Sequence, residues 1–376
     1  MERAIQVKRV AHIIAGLETG GAEHCLLRLV TALSKHNISN LVVALGKPGS
    51  LSPKVAQVAT LIHLGLPSRF SIAAFFGVIR RIRADSYVVH TWMPHANVLF
   101  GIIGRVLGLR VVWAIHNALP TRTGYFARIL GSIERLLSHF IPNLIICCSN
   151  ASKQAYSNAG YNRRLLKVVF NGHETEAFSP CGTDKDRIRR DLSIPFRAPV
   201  AAHVGRWHPV KNHALLLDSF ALVLKRLPNA HFIACGPEIT FRNDALAQMV
   251  KKSGLPMERI HLLGLREDVP DILACADCVV LSSHSEAFPN VLCEALAAGK
   301  PAVSTDVGDA KDIIGDCGII VSSANPDSFA TAIVTCLELP AGIYAKAGPL
   351  KANAMFSMNT CVERHIAIYG AHATPK

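Results

Sequence analysis

The strongest constraint on how this 376-residue chain can fold is a regular alternation in its sequence. Short, nearly continuous apolar runs occur at Arg9–Ile14, Asn40–Ala44, Tyr87–His90, Val111–His116 and Leu144–Ser149. Between them lie longer stretches, such as Ala22–Lys35 and Ile72–Arg83, with apolar residues three and four positions apart. A run that is apolar on both faces suits a strand covered on both sides, and the helical spacing between runs suits crossover helices. Together they predict an α/β chain with a doubly wound parallel sheet.

The alternation starts again after a polar stretch, Asn171 to Asp191. Strands are predicted at Val200–Val204, His231–Cys235, Ile260–Leu263, Cys278–Leu281, Pro301–Ser304 and Gly318–Val321. Helices are predicted at His213–Leu227, Asp244–Lys252, Val269–Cys275, Val291–Ala298 and Asp327–Leu337, and Met355 to Tyr369 reads as one more. No repeat, low-complexity tract or long linker interrupts the pattern. The length is too great for one ordinary core and comfortable for two. Two Rossmann-like domains are therefore expected, over 1–175 and 176–354, with a hinge near 172–182 and a terminal helix over about 355–376. In such sheets ligands bind beyond the carboxyl ends of the strands, so two sheets facing each other would leave a deep cleft.

Charge is unevenly placed. Residues 1–178 hold 20 Lys and Arg against 7 Asp and Glu, whereas residues 179–376 hold 20 of each. The whole excess of the +13 chain is thus in its first half, which suits an anionic partner: phosphorylated lipid, an acidic membrane surface or nucleic acid. The eleven cysteines lack a framework spacing, and buried reduced thiols in a cytoplasmic protein are expected. The lone C-x-x-C of Cys275 and Cys278 has no second pair to complete a zinc site. Gly20-Gly21 and Glu23 follow the apolar Val10–Ile14 too soon for a secretory signal. The longest apolar stretch, Val98 to Ile115, is broken by Arg105 and Arg110, so no membrane span is expected.

Several residues stand at predicted strand ends. Gly20-Gly21 opens the first helix, where glycine allows close approach of backbone and the helix start offers free amides to an anion. It is not the G-x-G-x-x-G fingerprint, which disfavours a nicotinamide cofactor. Gly205-Arg206 ends the first strand of the second half, with Lys211 shortly beyond. An arginine fork and a lysine point charge suit a diphosphate. Glu286 and Glu294 flank a predicted helix start at Pro289 and Asn290. Glu294 sits among Val291, Leu292, Ala295 and Leu296, where a carboxylate needs a partner. His116 ends an apolar strand. His90 and His95 have no third ligand at credible spacing and there is no D-x-D motif, so no metal is expected.

These elements, taken in order, resemble the family-4 retaining glycosyltransferases of the GT-B fold. The resemblance is carried by Gly20-Gly21-Ala22-Glu23, Cys148-Ser149-Asn150-Ala151, Asn171-Gly172, Gly205-Arg206 with Lys211-Asn212, and Cys235-Gly236-Pro237. It continues with Gly264 and Asp268-Val269-Pro270, Ser282 through Val291, and Glu294-Ala295-Leu296-Ala297-Ala298-Gly299-Lys300-Pro301. It implies that Arg206 and Lys211 hold the donor diphosphate and that Glu286 contacts the donor sugar. Phe288, Pro289, Asn290 and Val291 would present backbone to the donor, and Glu294 would bind ribose hydroxyls. It further implies that Gly20 and Gly21 lie near the diphosphate and His116 near sugar and acceptor. The terminal helix would cross back to the first domain, the acceptor side, leaving 176–354 as the donor side.

The expected function is metal-independent, cofactor-free retaining transfer of a hexosyl or N-acetylhexosaminyl group. The donor would be a nucleotide-diphosphate sugar, a UDP-sugar by preference. The acceptor would be a saccharide or a polyprenyl-diphosphate-linked saccharide of cell-surface polysaccharide synthesis. Developing charge on the leaving diphosphate would be stabilised by the two cations and the helix start. The expected location is cytoplasmic, at the inner face of the plasma membrane through the basic half; no nucleic-acid partner is expected. Two alternatives stand beside it: a nucleotide-sugar epimerase on the same fold, which would need an added base and no acceptor, and a non-catalytic nucleotide-sugar or polyanion binder, which would not need both glutamates.

Overall fold

The computed structural model describes residues 7–18, 20–66, 72–85, 87–118, 125–179, 184–340 and 342–370. Contacts divide it into two units, Met1–Gly172 with Met358–Lys376, and His173–Ser357. The part of the expected hinge at 180–182 and the end of the terminal helix at 371–376 lie outside the described residues.

The first unit is built on a parallel sheet ordered β3-β2-β1-β4-β5-β6-β7. Its strands are β1 (Arg9–Ile14), β2 (Ser39–Ala44), β3 (Thr60–His63), β4 (Val88–Trp92), β5 (Val111–Ile115), β6 (Leu144–Cys147) and β7 (Leu166–Val168). The central strands are buried along almost their whole length, which explains their unbroken apolar runs. Order reverses between β1 and β4, so helices cover both faces. On one face lie α1 (Gly21–Lys35), α2 (Ser52–Ala56) and α15 (Met358–Gly370); on the other lie α3 (Ile72–Ala84), α4 (Pro94–Val106), α5 (Tyr125–Leu137) and α6 (Asn150–Asn158).

The second unit repeats the plan with a parallel sheet ordered β10-β9-β8-β11-β12-β13. The strands are β8 (Val200–Val204), β9 (His231–Cys235), β10 (Ile260–Leu262), β11 (Cys278–Leu281), β12 (Ala302–Thr305) and β13 (Gly318–Val321). Its reversal falls between β8 and β11. Around it lie α7 (Lys185–Asp191), α8 (His213–Arg226), α9 (Asp244–Ser253), α10 (Val269–Cys275), α11 (Asn290–Ala297), α12 (Ala310–Ile314), α13 (Pro326–Leu337) and α14 (Ala347–Phe356). Glycine lets α14 approach α11 closely: a Cβ on Gly348 would lie 2.7 Å from the Leu296 carbonyl oxygen.

Two boundaries differ from expectation for clear reasons. Ser149 is not strand but the cap of α6, its hydroxyl accepting the Ser152 amide at 2.9 Å. The single helix expected over Met355–Tyr369 is two helices. Ser357 is extended (φ −65°, ψ 152°) and bridges to His173, whose amide donates to the Phe356 carbonyl at 2.8 Å. α14 thus belongs to the second unit. α15 returns to the first, packing against α1 and setting Val362 and Tyr369 into its core.

Candidate active site

At the carboxyl edge of the second sheet, three strands end in glycine. Gly236, after β9, has φ +143°, and a Cβ there would lie 2.2 Å from the Gly205 carbonyl oxygen. Gly264, after β10, has φ +67°; it donates to the Ile239 carbonyl and accepts from the Gly236 amide, both at 2.7 Å. The result is a floor of backbone packed directly on backbone, its glycine amides bonded to the Cys235, Gly264 and Ile239 carbonyls.

Over this floor the loops after β8 and β11 are joined. The His284 amide donates to the Val210 carbonyl at 2.7 Å, and the Ser282 hydroxyl to the Lys211 carbonyl at 2.8 Å. Asn212 (φ 50°, ψ 55°) turns the chain and caps α8, its side chain accepting the Leu215 amide. The Lys211 side chain is thereby directed back over Gly205, its Cε 3.6 Å from where a Cβ would stand. Its ammonium donates to Glu286 Oε1 at 2.6 Å, and the Ser283 hydroxyl donates to the same oxygen at 2.7 Å. The glutamate loop is pressed from its other side by Gly308 (φ +53°), where a Cβ would lie 2.6 Å from the Glu286 carbonyl oxygen. Thr305 donates to the Ser283 carbonyl at 2.6 Å. Arg206, beside Gly205, is exposed and has no ion-pair partner among the described residues.

Phe288 and Pro289 are buried and lead into α11, with Phe288 against Phe356 at 5.8 Å between ring centroids. Val291 is buried and Asn290 half-buried in the first turn. Glu294 is not a solvated helix residue. Its side chain is 16% exposed and one oxygen lies 3.6 Å from Nδ1 of the buried His173. This histidine was missed in the sequence; the signal available was its place directly after Asn171-Gly172. In the loop between β10 and α10, Arg266 grips Asp268 with two nitrogens at 2.7 and 2.6 Å, and Arg187 reaches Asp268 at 2.7 Å and Asp271 at 2.6 Å. The Arg266 hydrogen bonds above all, with those of Arg187, hold the Asp268 carboxyl well below the usual range. Asp268 of the Asp268-Val269-Pro270 element thus anchors loops.

In the first unit, Gly20 is extended before α1, and a Cβ on it would lie 2.3 Å from Glu23 Oε2. Glu23 therefore reaches back over the start of its own helix, while the space above Gly21 is open. His116 follows β5 and stacks on Trp92, with ring centroids 4.6 Å apart and planes at 11°. Burial pushes its pKa down to about 3, helped by His365 and opposed by a hydrogen bond with Asn171. His90 and His95 do not form a pair: His90 is buried in β4 and bonds Tyr369 at 2.8 Å, whereas His95 is exposed on α4. Among the described residues no three His, Cys, Asp or Glu side chains are gathered as metal ligands. Cys275 and Cys278 are buried free thiols whose pKa values burial raises, that of Cys275 to about 11.

Residues 19–177 match the family model described as glycosyltransferase family 4, and residues 198–339 match the one described as glycosyl transferases group 1. A D-inositol 3-phosphate glycosyltransferase of Corynebacterium glutamicum (strain R) is 32% identical over 185 residues, 46% of this chain and 43% of that one. The chain thus spans less than half the length of that relative. The UDP-Gal:alpha-D-GlcNAc-diphosphoundecaprenol alpha-1,3-galactosyltransferase of Escherichia coli is 24% identical over 271 residues, 70% of this chain and 69% of that one. The crystal structure of Anabaena HepE in complex with UDP superimposes with a TM-score of 0.83 at 23% identity, over 96% of this chain and 99% of that one. This last likeness is one of fold.

Proposed function

The chain belongs to glycosyltransferase family 4, with the GT-B fold, and from that premise we propose that it transfers a hexosyl or N-acetylhexosaminyl group from a UDP-sugar with retention at the anomeric carbon. The acceptor in this reading is a saccharide or a lipid-linked saccharide of a cell-surface polysaccharide. The UDP held by HepE and the diphosphoundecaprenol acceptor of the E. coli relative support that choice.

The observation that carries the reading is the meeting of Lys211 and Glu286 over the glycine floor, with Arg206 beside it in no ion pair among the described residues. In the resting site Lys211 is held by a carboxylate. A donor diphosphate would offer it oxygens of higher charge. Lys211 would exchange partners, and Glu286 would be released to accept hydrogen bonds from sugar hydroxyls. Arg206 and the first amides of α11 would complete the positive field in which the diphosphate leaves, so the reading includes no metal. The leaving phosphate would take the acceptor's proton on the same face, and Glu286 would orient the sugar. Glu294 is assigned to ribose hydroxyls. The Gly20-Gly21 turn is assigned to the diphosphate and His116 to sugar and acceptor by the family resemblance.

The test is release of nucleotide diphosphate by the purified chain from a panel of nucleotide sugars, with and without lipid-linked saccharide acceptors. Acceptor-dependent release that survives a chelator supports the reading. Epimerised donor without acceptor, or binding without turnover, overturns it.

A further inference from the structure

α5 faces opposite to what a crossover helix should. Its one buried side chain among the described residues is a carboxylate, Glu134, which is 1% exposed. Glu134 accepts from Asn97 Nδ2 at 2.8 Å and from the Tyr161 hydroxyl at 2.9 Å, and Asn97 in turn accepts from Thr91 at 2.7 Å. On the other side of the helix, Tyr125, Phe126, Ile129, Ile133 and Leu136 fall within about 100° of arc at 3.6 residues per turn. All five are exposed, Phe126 by 84% and Leu136 by 63%. The apolar face extends onto α4, which packs against α5 and leaves Leu99, Ile102 and Val106 exposed. An isolated exposed leucine needs no explanation, but a contiguous face does.

Charge identifies what covers it. From Tyr87 to Asn143 the sequence holds five arginines and a single acidic residue, the buried Glu134. Arg105, Arg128 and Arg135 are exposed beside the apolar face. Arg110 is occupied, donating to the Ile368 carbonyl at 2.8 Å, and Arg122 lies outside the described residues. A second copy meeting this face about a twofold axis would set arginines against arginines. A bilayer with anionic headgroups accepts both features, aromatic and aliphatic side chains at the acyl boundary and arginines among the phosphates.

We propose that the exposed face of α5, continued by the end of α4, lies in the plane of an anionic membrane surface. α5 is the next helix after β5, the strand that leads to His116. This placement rests on the lipid-linked acceptor reading only for its purpose; the docking itself stands on the helix.

The experiment is flotation of the full chain with phosphatidylcholine vesicles and with vesicles that also contain phosphatidylglycerol. In parallel, transfer to a water-soluble acceptor is measured. The wild-type chain floats with the anionic vesicles and releases at high salt. The double variants F126S/I133S and R128E/R135E each lose about tenfold or more of the bound fraction. F196S, at an exposed phenylalanine of the second unit, does not. Three results overturn the proposal: no flotation of the wild type, undiminished flotation of both double variants, or a dimer that F126S/I133S dissociates. Soluble transfer retained by variants that no longer float separates docking from catalysis, and flotation without transfer on any acceptor sinks the enzyme reading alone.

Discussion

The ammonium of Lys211 lies 2.6 Å from Glu286 Oε1, although the two residues are separated by most of a Rossmann sheet in sequence. They meet because each loop is tied by its backbone to the other, through Ser282 and His284. With side chains 20% and 15% exposed, the pair is sheltered enough to fix both groups and open enough to receive a ligand. Glu286→Gln should therefore leave UDP affinity equal to or tighter than wild type, because Lys211 loses its competing carboxylate, while turnover falls. Calorimetric titration of UDP beside single-turnover rates reads the two effects separately. Weaker UDP binding in E286Q would show that the carboxylate, not the freed lysine, organises the diphosphate.

Arg206 makes no ion pair among the described residues and is exposed, so its removal costs the fold little. Arg206→Ala should change stability by no more than about 0.5 kcal/mol. It should lower turnover by about 10²–10³-fold through lost charge on the leaving group. Thermal unfolding and kcat measured on the same preparation check both halves, and a variant as active as wild type removes Arg206 from the mechanism.

Gly236→Ala should damage the floor itself. The added methyl would sit 2.2 Å from the Gly205 carbonyl oxygen, at a φ of +143° that side chains rarely adopt. The strain is on the order of 1–3 kcal/mol or more. A lower unfolding midpoint accompanied by weaker UDP binding is expected; Gly21→Ala, with open space around it, should leave stability nearly unchanged.

Acid should destabilise the first unit. His12 and His90 face each other across the β1–β4 pair, with His116 and His365 nearby, and burial lowers all four pKa values. The values fall to about 3 for His12 and His116 and about 4 for His365, against a free value near 6.5. In that interval the unfolded chain binds more protons than the folded one. The stability is thus complete above about pH 6.5 and declines as pH falls toward 4. Unfolding midpoints measured from pH 7.5 down to 4.5 should fall steadily, and His12→Gln should flatten the slope. A midpoint independent of pH over this interval would contradict the account.

The main strands were readable in sequence because burial on both faces leaves an unbroken apolar run, as in Val111–Ile115 and Cys278–Leu281. The edge strands Thr60–His63 and Leu166–Val168 were not, since no residue of the first is fully buried and the second is three residues long with an exposed lysine at its centre. Glu294, set among apolar neighbours, proved to lie against His173, a contact between residues far apart in sequence that the place of His173 after Asn171-Gly172 alone could hint at. Periodicity can find the stripe of α5 but cannot tell which way it turns. Only the partners of Glu134, brought by α4 and by the chain beyond α6, decide that. The stop at Ser357 is likewise a tertiary event, fixed by the bridge to His173.

The return of α15 to the first sheet sets an order of events at the ribosome. Tyr369 bonds His90 in β4 and Val362 fills the core over β1, so the unit begun first lacks part of its interior until Met358–Gly370 is made. The unit His173–Ser357 is continuous in sequence and can finish earlier. A chain stopped short of Met358 would carry a complete second unit tethered to a first one with a wet seam, open to proteases and chaperones, so it is α15 rather than the sheet that closes the first unit.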